Sequence, residues 1–482
     1  MGGTHIKSDG CVEYKEARGR GWLRSSTALS GWAGALPAII LGAGLIGASQ
    51  AYANPKGGNV VAGSAEIIHS APNTVDIIQK TDKAAINWTS FSIDSSEITN
   101  FQQPSSSSIA LNRVIGGNES KILGTLTANG IIWLLNPNGV FFGQNATVDV
   151  AGMLATTLDI SDQDFMAGKY DFSGPTDSNA MVINQGMISV ADGGLVALVA
   201  PGVENSGVIS ARLGRVALAS GDAFTLDLYG DQLISLAVDG RIAREIVDEN
   251  GEVLGALVSN SGQITAEGGS VMLSVAAAQD VVDNVINMSG IIVANTVVER
   301  NGEIVLMGGD AGVVAVSGTL QASGDNAGET GGTVKVLGEK VGLFGDAHID
   351  VSGDAGGGTV LIGGDYQGGG SEPLARRTYV GANATINASA GTGGDGGTVI
   401  VWAEEVTRFY GTIEAKGGSE SGDGGFVEVS GKASLDFAGL VDTSAPNGEV
   451  GTLLLDPTNI IVVKDGDQDT DDLGDVNAFN DP

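Results

Sequence analysis

Apolar residues of this chain occur in short runs that alternate with polar or small residues, and segments rich in Gly, Asp, Asn and Ser separate the runs. A period of two predicts β-strands, and clusters of Gly, Asn and Asp predict tight turns between them. Long patterns with the period of an amphipathic helix are absent from the sequence. Gly is very frequent, at 76 of 482 residues, but shows no collagen periodicity. The sequence therefore predicts an all-β protein of short strands and turns.

The clearest strand–turn–strand pattern lies between residues 131 and 142. An apolar run at 131–135 enters an Asn-Pro-Asn-Gly box, and a Val-Phe-Phe run follows it. Proline suits the second turn position because its φ is preset, the first asparagine can cap the turn through its side chain, and glycine tolerates the exit. Trp133 and Phe141, on the flanking strands, are predicted to lie in the core. The box residues are Asn136, Pro137, Asn138 and Gly139.

Two short units repeat through the later part of the chain, and each recurs every 26 to 39 residues. The first has the pattern Gly-Thr-Val-x-Val and begins at Gly332, Gly358, Gly397, Gly425 and Gly451. The second precedes it each time, and its apolar position is held by Leu320, Ile349, Ile386, Ile413 and Val441. Because the two units keep together, they predict one structural repeat.

A looser Asn-x-Gly repeat begins at Asn184, Asn205 and Asn260, and an apolar run follows each asparagine. The first step, of 21 residues, fits one repeat. The second step, of 55 residues, is expected to contain two coils and an insertion. The charged segment 239–252 is the candidate for that insertion.

A repeat of a few short strands cannot bury its inward face alone, whereas stacked coils bury a continuous core. The sequence therefore predicts a right-handed parallel β-helix, with an amino-terminal cap formed by residues 54 to about 86. At about 25 residues and roughly 4.8 Å per coil, the 429 residues after Ala53 would form about 17 coils and a monomeric rod of about 80 Å.

Three segments, in this order, carry a family resemblance. They are Asn112-Arg113-Val114, the box at 136–139, and Ala-Thr-Thr-Leu-Asp-Ile at 155–160. Together they resemble the amino-terminal secretion domain of filamentous haemagglutinin-like exoproteins, the secreted partners of two-partner secretion systems. The box alone would be an ordinary turn, but the three segments at this spacing are specific.

The resemblance implies a secreted or surface-exposed adhesin of a Gram-negative cell, exported by a cognate outer-membrane transporter. Residues 54–300 would engage the periplasmic domains of the transporter, and residues 301–463 would form Gly-rich β-helical repeats. A glycan or a protein of a host or neighbouring cell is the candidate ligand. A truncated member of a toxin-delivery exoprotein is an alternative. The resemblance assigns transporter recognition to Asn112, Arg113, Val114, Asn136, Pro137, Asn138 and Gly139.

Residues 1–53 have the pattern of an extended signal peptide. Three arginines precede a small, apolar segment at 28–48, and Ala51-Tyr52-Ala53 supplies the small-x-small pattern, so cleavage is predicted after Ala53. The single cysteine, Cys11, lies in this leader. A mature chain without disulfides suits passage through a pore as an unfolded thread, although a long repetitive core can also do without them.

The chain is strongly acidic, with a formal net charge of −33. The leader holds five basic and three acidic residues, so the predicted mature chain is near −35. Such a charge repels nucleic acid and anionic lipid, and no nucleic-acid partner is expected. Residues 464–482 are rich in Asp, but Thr470 and Val476 occupy the positions where an EF-hand loop requires Gly and Glu. A solvated, disordered tail is predicted.

Candidate catalytic chemistry is sparse. His69 and His348 are far apart and no cysteine lies outside the leader, which disfavours metal clusters and Cys/His nucleophile pairs. A β-helical polysaccharide-active enzyme is the alternative function, because paired carboxylates can carry such chemistry. The sequence therefore predicts no enzyme, metal or cofactor. The candidate carboxylates, expected to be solvated turn residues, are Asp350, Asp354, Asp365, Glu404 and Glu405.

Overall fold

The computed structural model describes residues 54–456, except residues 176, 228–234, 239, 249, 280, 283 and 299. The chain divides into two compact units, and the described residues all belong to the unit Ala51–Pro482. The predicted signal peptide, its cleavage site and the acidic tail lie outside the described residues. Within the described part, no helix is long and apolar enough to cross a membrane.

The strands form a parallel β-helix, as the sequence predicted. Each strand pairs with its counterparts in the preceding and following coils, so that three long sheets run along the stack. Trp133, for example, pairs with Leu111 one coil earlier and with Leu154 one coil later. The repeat predicted from the sequence is in register, since its five apolar positions from Leu320 to Val441 are successive partners in one sheet.

The three sheets are called sheets 1, 2 and 3 in the order in which each coil visits them. Sheet 1 has 14 strands: Asn59–Ala62, Lys83–Trp88, Ile109–Val114, Ile131–Leu135, Gly152–Thr156, Leu195–Ala200, Arg215–Ser220, Ser270–Val275, Glu303–Met307, Thr333–Leu337, Thr359–Ile362, Thr398–Ala403, Phe426–Gly431 and Thr452–Leu454. Sheet 2 has 11: Ser120–Ile122, Val140–Phe142, Met181–Asn184, Gly202–Asn205, Ala256–Asn260, Asn284–Met288, Val313–Val316, Lys340–Leu343, Arg377–Val380, Val406–Phe409 and Ser434–Phe437. Sheet 3 has 14: Ala65–Ala71, Thr74–Gln79, Ile98–Gln102, Thr125–Ala128, Thr147–Val150, Met187–Val190, Val208–Ser210, Gln263–Thr265, Ile291–Val293, Thr319–Gln321, His348–Asp350, Thr385–Asn387, Thr412–Glu414 and Leu440–Asp442.

Antiparallel strands close the amino-terminal end of the stack. Strand Asn59–Ala62 pairs antiparallel with Lys83–Trp88 in sheet 1. In sheet 3, Ala65–Ala71 and Thr74–Gln79 form a hairpin, whose second strand begins the parallel series. These strands occupy the sheet edges that the first coil would otherwise expose. They form the predicted amino-terminal cap.

The predicted number of coils was too high. Thirteen strands of sheet 1 are parallel, from Lys83–Trp88 to Thr452–Leu454, because only the first of its 14 strands is antiparallel. The 369 residues between the starts of these two strands comprise 12 steps, so one coil averages about 31 residues rather than 25. At about 4.8 Å per step the parallel stack is about 58 Å long, not 80 Å.

The 55-residue step between Asn205 and Asn260 is one coil, which corrects the expected two. The two asparagines are direct partners in sheet 2. The long connection supplies strands Ala223–Asp227 and Ser235–Val238, and these form a three-stranded antiparallel outer sheet with Asp171–Ser173. Beside it lies the helix Asp162–Ala167, and a short 3-10 helix, Tyr366–Gly368, occurs later in the chain.

The molecule has two main hydrophobic cores. The first fills the interior of the coils with Val, Ile, Leu and Ala side chains. The second lies outside sheet 1, where the outer sheet and the helix cover it. Trp133 is only 1% exposed, as predicted, but it belongs to this outer core and packs edge-on against Phe165, Tyr170 and Phe172. Phe141 is only partly buried, so its predicted core position is wrong.

The asparagines of the looser repeat form a ladder inside the coils. All three are fully buried. Nδ2 of Asn184 donates to Oδ1 of Asn205 at 2.7 Å, and Nδ2 of Asn205 donates to Oδ1 of Asn260 at 2.6 Å. Stacking therefore gives each buried amide a partner in the next coil, which removes the cost of burying it alone.

Candidate functional site

The box forms the tight turn that its sequence predicted. The backbone N–H of Gly139 donates to the carbonyl of Asn136 at 3.0 Å, which closes the turn. Oδ1 of Asn136 accepts from the backbone N–H of Asn138 at 2.9 Å, so this side chain caps the turn. Gly139 has φ +112°, a value that L side chains rarely adopt. Each of these features follows from the residue type at its position.

Asn136 also fastens the turn to neighbouring coils, and its side chain is fully buried. Its Nδ2 donates to the carbonyl of Asn118 at 2.9 Å and lies 3.0 Å from Oγ of Ser120, both one coil earlier. Its backbone N–H donates to the carbonyl of Thr156, one coil later. The residue therefore bridges three coils and is not available to a partner.

The exposed part of this region is small and well defined. Pro137 and Asn138 are exposed at the turn, and Nδ2 of Asn138 holds the carbonyl of Gly116 at 2.9 Å. Ile115, which follows the Asn-Arg-Val segment, is 64% exposed, and Asn118 is exposed beside it. We call Ile115, Asn118, Pro137 and Asn138 the corner surface. It combines an apolar side chain with amides at a rigid turn.

Asn112 and Val114 lie inside the protein. Asn112 is fully buried, where its Oδ1 accepts from Nε1 of Trp88 at 3.0 Å and its Nδ2 donates to the carbonyls of Ala110 and Trp133. Val114 is 2% exposed and belongs to the inner core. Their contacts hold successive coils together, so neither side chain is accessible to a transporter.

Arg113 points outward, but it is enclosed by the end of the third motif, at Asp159 and Ile160, and by Asp162 just after it. Its side chain is 13% exposed. Nε donates to Oδ1 of Asp159 at 2.7 Å, Nη1 donates to Oδ1 of Asp162 at 2.6 Å, and Nη2 donates to the carbonyl of Ile160. Nη1 also donates to Oδ1 of Asn87 at 3.1 Å. The guanidinium thus attaches the start of the helix Asp162–Ala167 to the coils.

The electrostatics of Arg113 agree with this structural role. Burial is the largest single influence and by itself would lower the pKa of Arg113. Hydrogen bonds and charges of Asp159 and Asp162 outweigh burial, so the pKa of Arg113 is raised above its ordinary value. The group stays charged under all ordinary conditions and donates one hydrogen bond to each of the two carboxylates.

The structure therefore brings the three motif segments together on consecutive coils of sheet 1. Sequence reasoning did not identify Ile115, Asp159 or Asp162 as parts of the site. The sequence did contain a signal for the first, because an isoleucine directly after Val114 breaks the alternation of the strand. Asp159 belongs to the third motif, and Asp162 carried no signal; only the folded structure of residues 159–173, here called the outer segment, shows that both aspartates face Arg113.

The candidate carboxylates take part in turn and surface contacts. Oδ1 of Asp350 accepts from the N–H of Ser352, Asp354 accepts from Gly328 and Thr392, and Oδ1 of Asp365 accepts from the N–H of Tyr366. Glu404 pairs with Lys432, and Glu405 pairs with Arg376. Among the residues that the structure describes, no group of three or more His, Cys, Asp or Glu side chains could hold a metal ion.

Comparison with known proteins assigns the family. Residues 51–330 match the TPS secretion domain, the domain of two-partner secretion exoproteins. The chain belongs to this family. The matched range includes the coils with the motif segments, the outer sheet, the helix Asp162–Ala167 and the corner surface. It extends past residue 300. The boundaries 54–300 and 301–463 stay predictions, since the coils continue through residue 300 without interruption.

Relatives of known description support the assignment. The crystal structure of the HMW1 secretion domain from Haemophilus influenzae is similar to 84% of this chain and is covered in full, with a TM-score of 0.69 and 32% identity. Two heme/hemopexin-binding proteins of Haemophilus influenzae are 39% identical over 215 residues and 31% identical over 276 residues. These matches cover 42% and 52% of this chain, but only 23% and 28% of the two relatives.

This chain is thus a TPS exoprotein, and its secretion domain implies export across the outer membrane by a cognate transporter and a secreted or surface location. These conclusions follow from the family. The relatives' names describe what those proteins bind, and the shared part is about a quarter of their length.

Proposed function

We propose that this exoprotein is a non-enzymatic adhesin, released or held at the surface of a Gram-negative cell, that binds a glycan or a protein of a host or neighbouring cell. The supporting observation is the long stack of coils, whose outward strands offer extended binding faces. The candidate carboxylates Asp350, Asp354 and Asp365 accept hydrogen bonds from nearby turn and surface residues. A binding protein needs such a surface, whereas an enzyme needs convergent reactive groups.

The corner surface is the proposed contact for the periplasmic domains of the transporter. Of the seven motif residues assigned by resemblance, Arg113 is engaged by Asp159 and Asp162, and four are buried: Asn112, Val114, Asn136 and Gly139. A partner can reach Pro137 and Asn138, together with Ile115 beside them. The buried motif residues would hold these three in position.

Export tests the corner surface directly. Asn138→Ala and Ile115→Ser are expected to leave most of the protein in the periplasm while the melting temperature stays within a few degrees of the parent. The measurement is the ratio of secreted to periplasmic protein in cells that contain the cognate transporter. Wild-type export by both variants would show that the transporter binds elsewhere.

Asn447→Ala is the matched control for Asn138→Ala. Asn447 is also an exposed asparagine that precedes glycine, and its Nδ2 donates to the carbonyl of Ser419 at 2.7 Å. It lies in the last coils, far along the chain from the box. We expect normal export of this variant, so a defect confined to Asn138→Ala cannot arise from losing a surface amide in general.

Adhesion tests the function itself. Protein purified from culture medium is labelled and incubated with epithelial cells and with cells of the producing strain. Saturable binding to either cell type, competed by unlabelled protein, is the expected result. Absence of saturable binding to both cell types would contradict the adhesin proposal and leave the export route unaffected.

A further inference from the structure

The outward face of sheet 3 carries two straight columns of side chains in its first six parallel strands. One column is polar and consists of Asp76, Asn100, Thr127, Asp149, Ser189 and Ser210, each paired with the next. Five steps of about 4.8 Å give it a length of about 24 Å. The column is therefore as long as an extended oligosaccharide of several units.

The neighbouring column, two residues earlier in each strand, is apolar or threonine. It contains Ile98, Thr125, Thr147, Met187 and Val208. Met187 is 49% exposed, and Ile98 and Val208 are each 38% exposed. The outer side of sheet 1 differs, because the outer sheet and helix bury Trp133 there. Exposed apolar side chains in a row on a flat sheet indicate a binding face.

An open groove of about 480 Å³ lies at the amino-terminal part of this face. Amide, hydroxyl and carboxylate side chains line it, namely Asn100, Gln102, Thr127, Asn129 and Asp149. Several are held in place by hydrogen bonds within the protein. Nδ2 of Asn100 donates to Asp76 at 2.9 Å, Oγ1 of Thr127 donates to Asn100 at 3.0 Å, and Nδ2 of Asn129 donates to the carbonyl of Gln103 at 2.8 Å. The groove is thus a preformed polar site.

The charge of the face excludes anionic ligands. Over these six strands the two columns contain Asp76 and Asp149 but no lysine or arginine. Hydrogen bonds from Ser70 and Asn100 hold the pKa of Asp76 below its ordinary value, so its carboxylate is ionised at neutral pH. The nearby Lys80 pairs with Glu66. A sulfated or sialylated polymer, or a nucleic acid, would meet repulsion here.

We infer that this face binds an extended neutral glycan that lies along the stack and is centred on the groove. A sugar ring has polar edges and apolar faces. Its hydroxyls suit the amide and carboxylate side chains of the polar column, and its C–H faces suit the methyl groups of the neighbouring column. The inference rests on the proposed adhesin function, for which it names the ligand class and the site.

A glycan array tests this inference with protein purified from culture medium. The probes are neutral polymers, such as poly-N-acetyllactosamine and β-1,4-linked glucan, and sialylated and sulfated forms of the same chains. We expect retention on at least one neutral polymer and weaker retention on its acidic forms. The variant Asp149→Ala/Met187→Ser changes two exposed side chains and should bind the neutral polymer at least tenfold more weakly.

Asn287→Ala is the control, because Asn287 is an exposed, outward residue of sheet 2. It should bind like the parent. Preferred binding of acidic polymers, unchanged binding by the double variant, or no binding of any neutral polymer would overturn the inference. If the protein still binds cells in the last case, the adhesin function stands and its receptor is a protein. Loss of cell binding after enzymatic removal of neutral glycans would support the inference independently.

Discussion

Nε of Arg113 and Oδ1 of Asp159 are 2.7 Å apart, although 46 residues separate them in the chain. The bond joins strand Ile109–Val114 of sheet 1 to the outer segment, which leaves the coils and covers the outer face of that sheet. Trp133 lies beneath that cover and is buried by it. Arg113 of the Asn-Arg-Val segment therefore holds the outer segment against sheet 1.

Replacing Arg113 should loosen the outer segment without unfolding the coils. Arg113→Ala removes hydrogen bonds to charged groups, each worth roughly 1.5–3 kcal/mol when buried and less where Asp159 and Asp162 are exposed. Lys169, exposed just after the helix, should be cut by trypsin several-fold faster. Limited proteolysis followed by mass spectrometry locates the cut.

The control for that experiment is Arg212→Ala. Arg212 also pairs with an aspartate, Asp192, but both side chains are about half exposed. Its loss should leave cleavage at Lys169 unchanged. Equal cleavage of the Arg113 variant and the parent would mean that the outer core alone holds the segment.

Asn136 and Asn138 should differ sharply in their effect on stability. Asn136→Ala leaves the carbonyl of Asn118, Oγ of Ser120 and the backbone N–H of Asn138 without their hydrogen bonds, at about 1–3 kcal/mol for each group that stays buried. Asn138→Ala removes two hydrogen bonds of Nδ2 at an exposed turn, to the carbonyl of Gly116 and to Oδ1 of Asn136, and should cost less, about 1 kcal/mol. Chemical denaturation monitored by circular dichroism compares them. Equal losses would contradict the buried, bridging role of Asn136.

Gly139 should not tolerate a side chain. Its φ of +112° is unfavourable for L residues, and a Cβ there would lie 3.2 Å from the carbonyl oxygen of Met181. Gly139→Ala is expected to destabilise the protein by roughly 1–3 kcal/mol. Gly117→Ala, where a Cβ would meet nothing within 4 Å, is the control and should be nearly neutral. Thermal melts of both variants test the difference.

Glu428 is a buried carboxylate on the outer side of sheet 1. It is fully buried, and its Oε2 accepts from the backbone N–H of Gln367 at 3.0 Å. Burial raises the pKa of Glu428, and the charges of Asp456 and Asp365 raise it further against opposing hydrogen bonds. Because the folded-state pKa exceeds the unfolded one, the ionised side chain disfavours folding.

That shift gives a pH-dependent prediction for Glu428→Gln. The penalty from the ionised carboxylate is absent below the unfolded-state pKa, near 4.5, and complete above the raised folded-state pKa. The variant should therefore melt several degrees higher than the parent at pH 8, and the gain should vanish as the pH falls toward 4. The control is Glu404→Gln, at a side chain 47% exposed, compared with the parent at the same pH values. A constant difference across pH would rule out titration of Glu428.

Strict alternation explains which parts of the fold could be predicted from the sequence. In the second repeat unit a single apolar residue stands between polar neighbours, as in His348-Ile349-Asp350, so inward positions and coil register follow directly, as the pairing of Ile349 with Ile386 shows. In the box, the conformational limits of proline, glycine and asparagine defined the turn. Local chemistry was sufficient in both cases.

Other features depend on contacts that no local pattern encodes. The run from Ile131 to Leu135 is apolar at every position, so alternation cannot show that Trp133 faces outward. The 55-residue step is close to twice a usual repeat, and its length cannot distinguish two coils from one coil with an excursion. The partners of Arg113, Asp159 and Asp162, lie on a segment outside the repeat. Only the folding of that segment over sheet 1 brings them near the arginine.

The antiparallel cap at Asn59–Ala62 has a consequence for the order of assembly. It blocks one end of the stack, so a new coil can dock only at the other end. At this open end, the unpaired strands of the last folded coil offer backbone hydrogen-bonding groups with which the strands of the next coil can pair. A thread that emerges from a pore amino terminus first delivers its residues in this same order. Each new strand of such a chain takes its register from the coil that folded just before it, so the coils need no pairing between strands that are distant in the sequence.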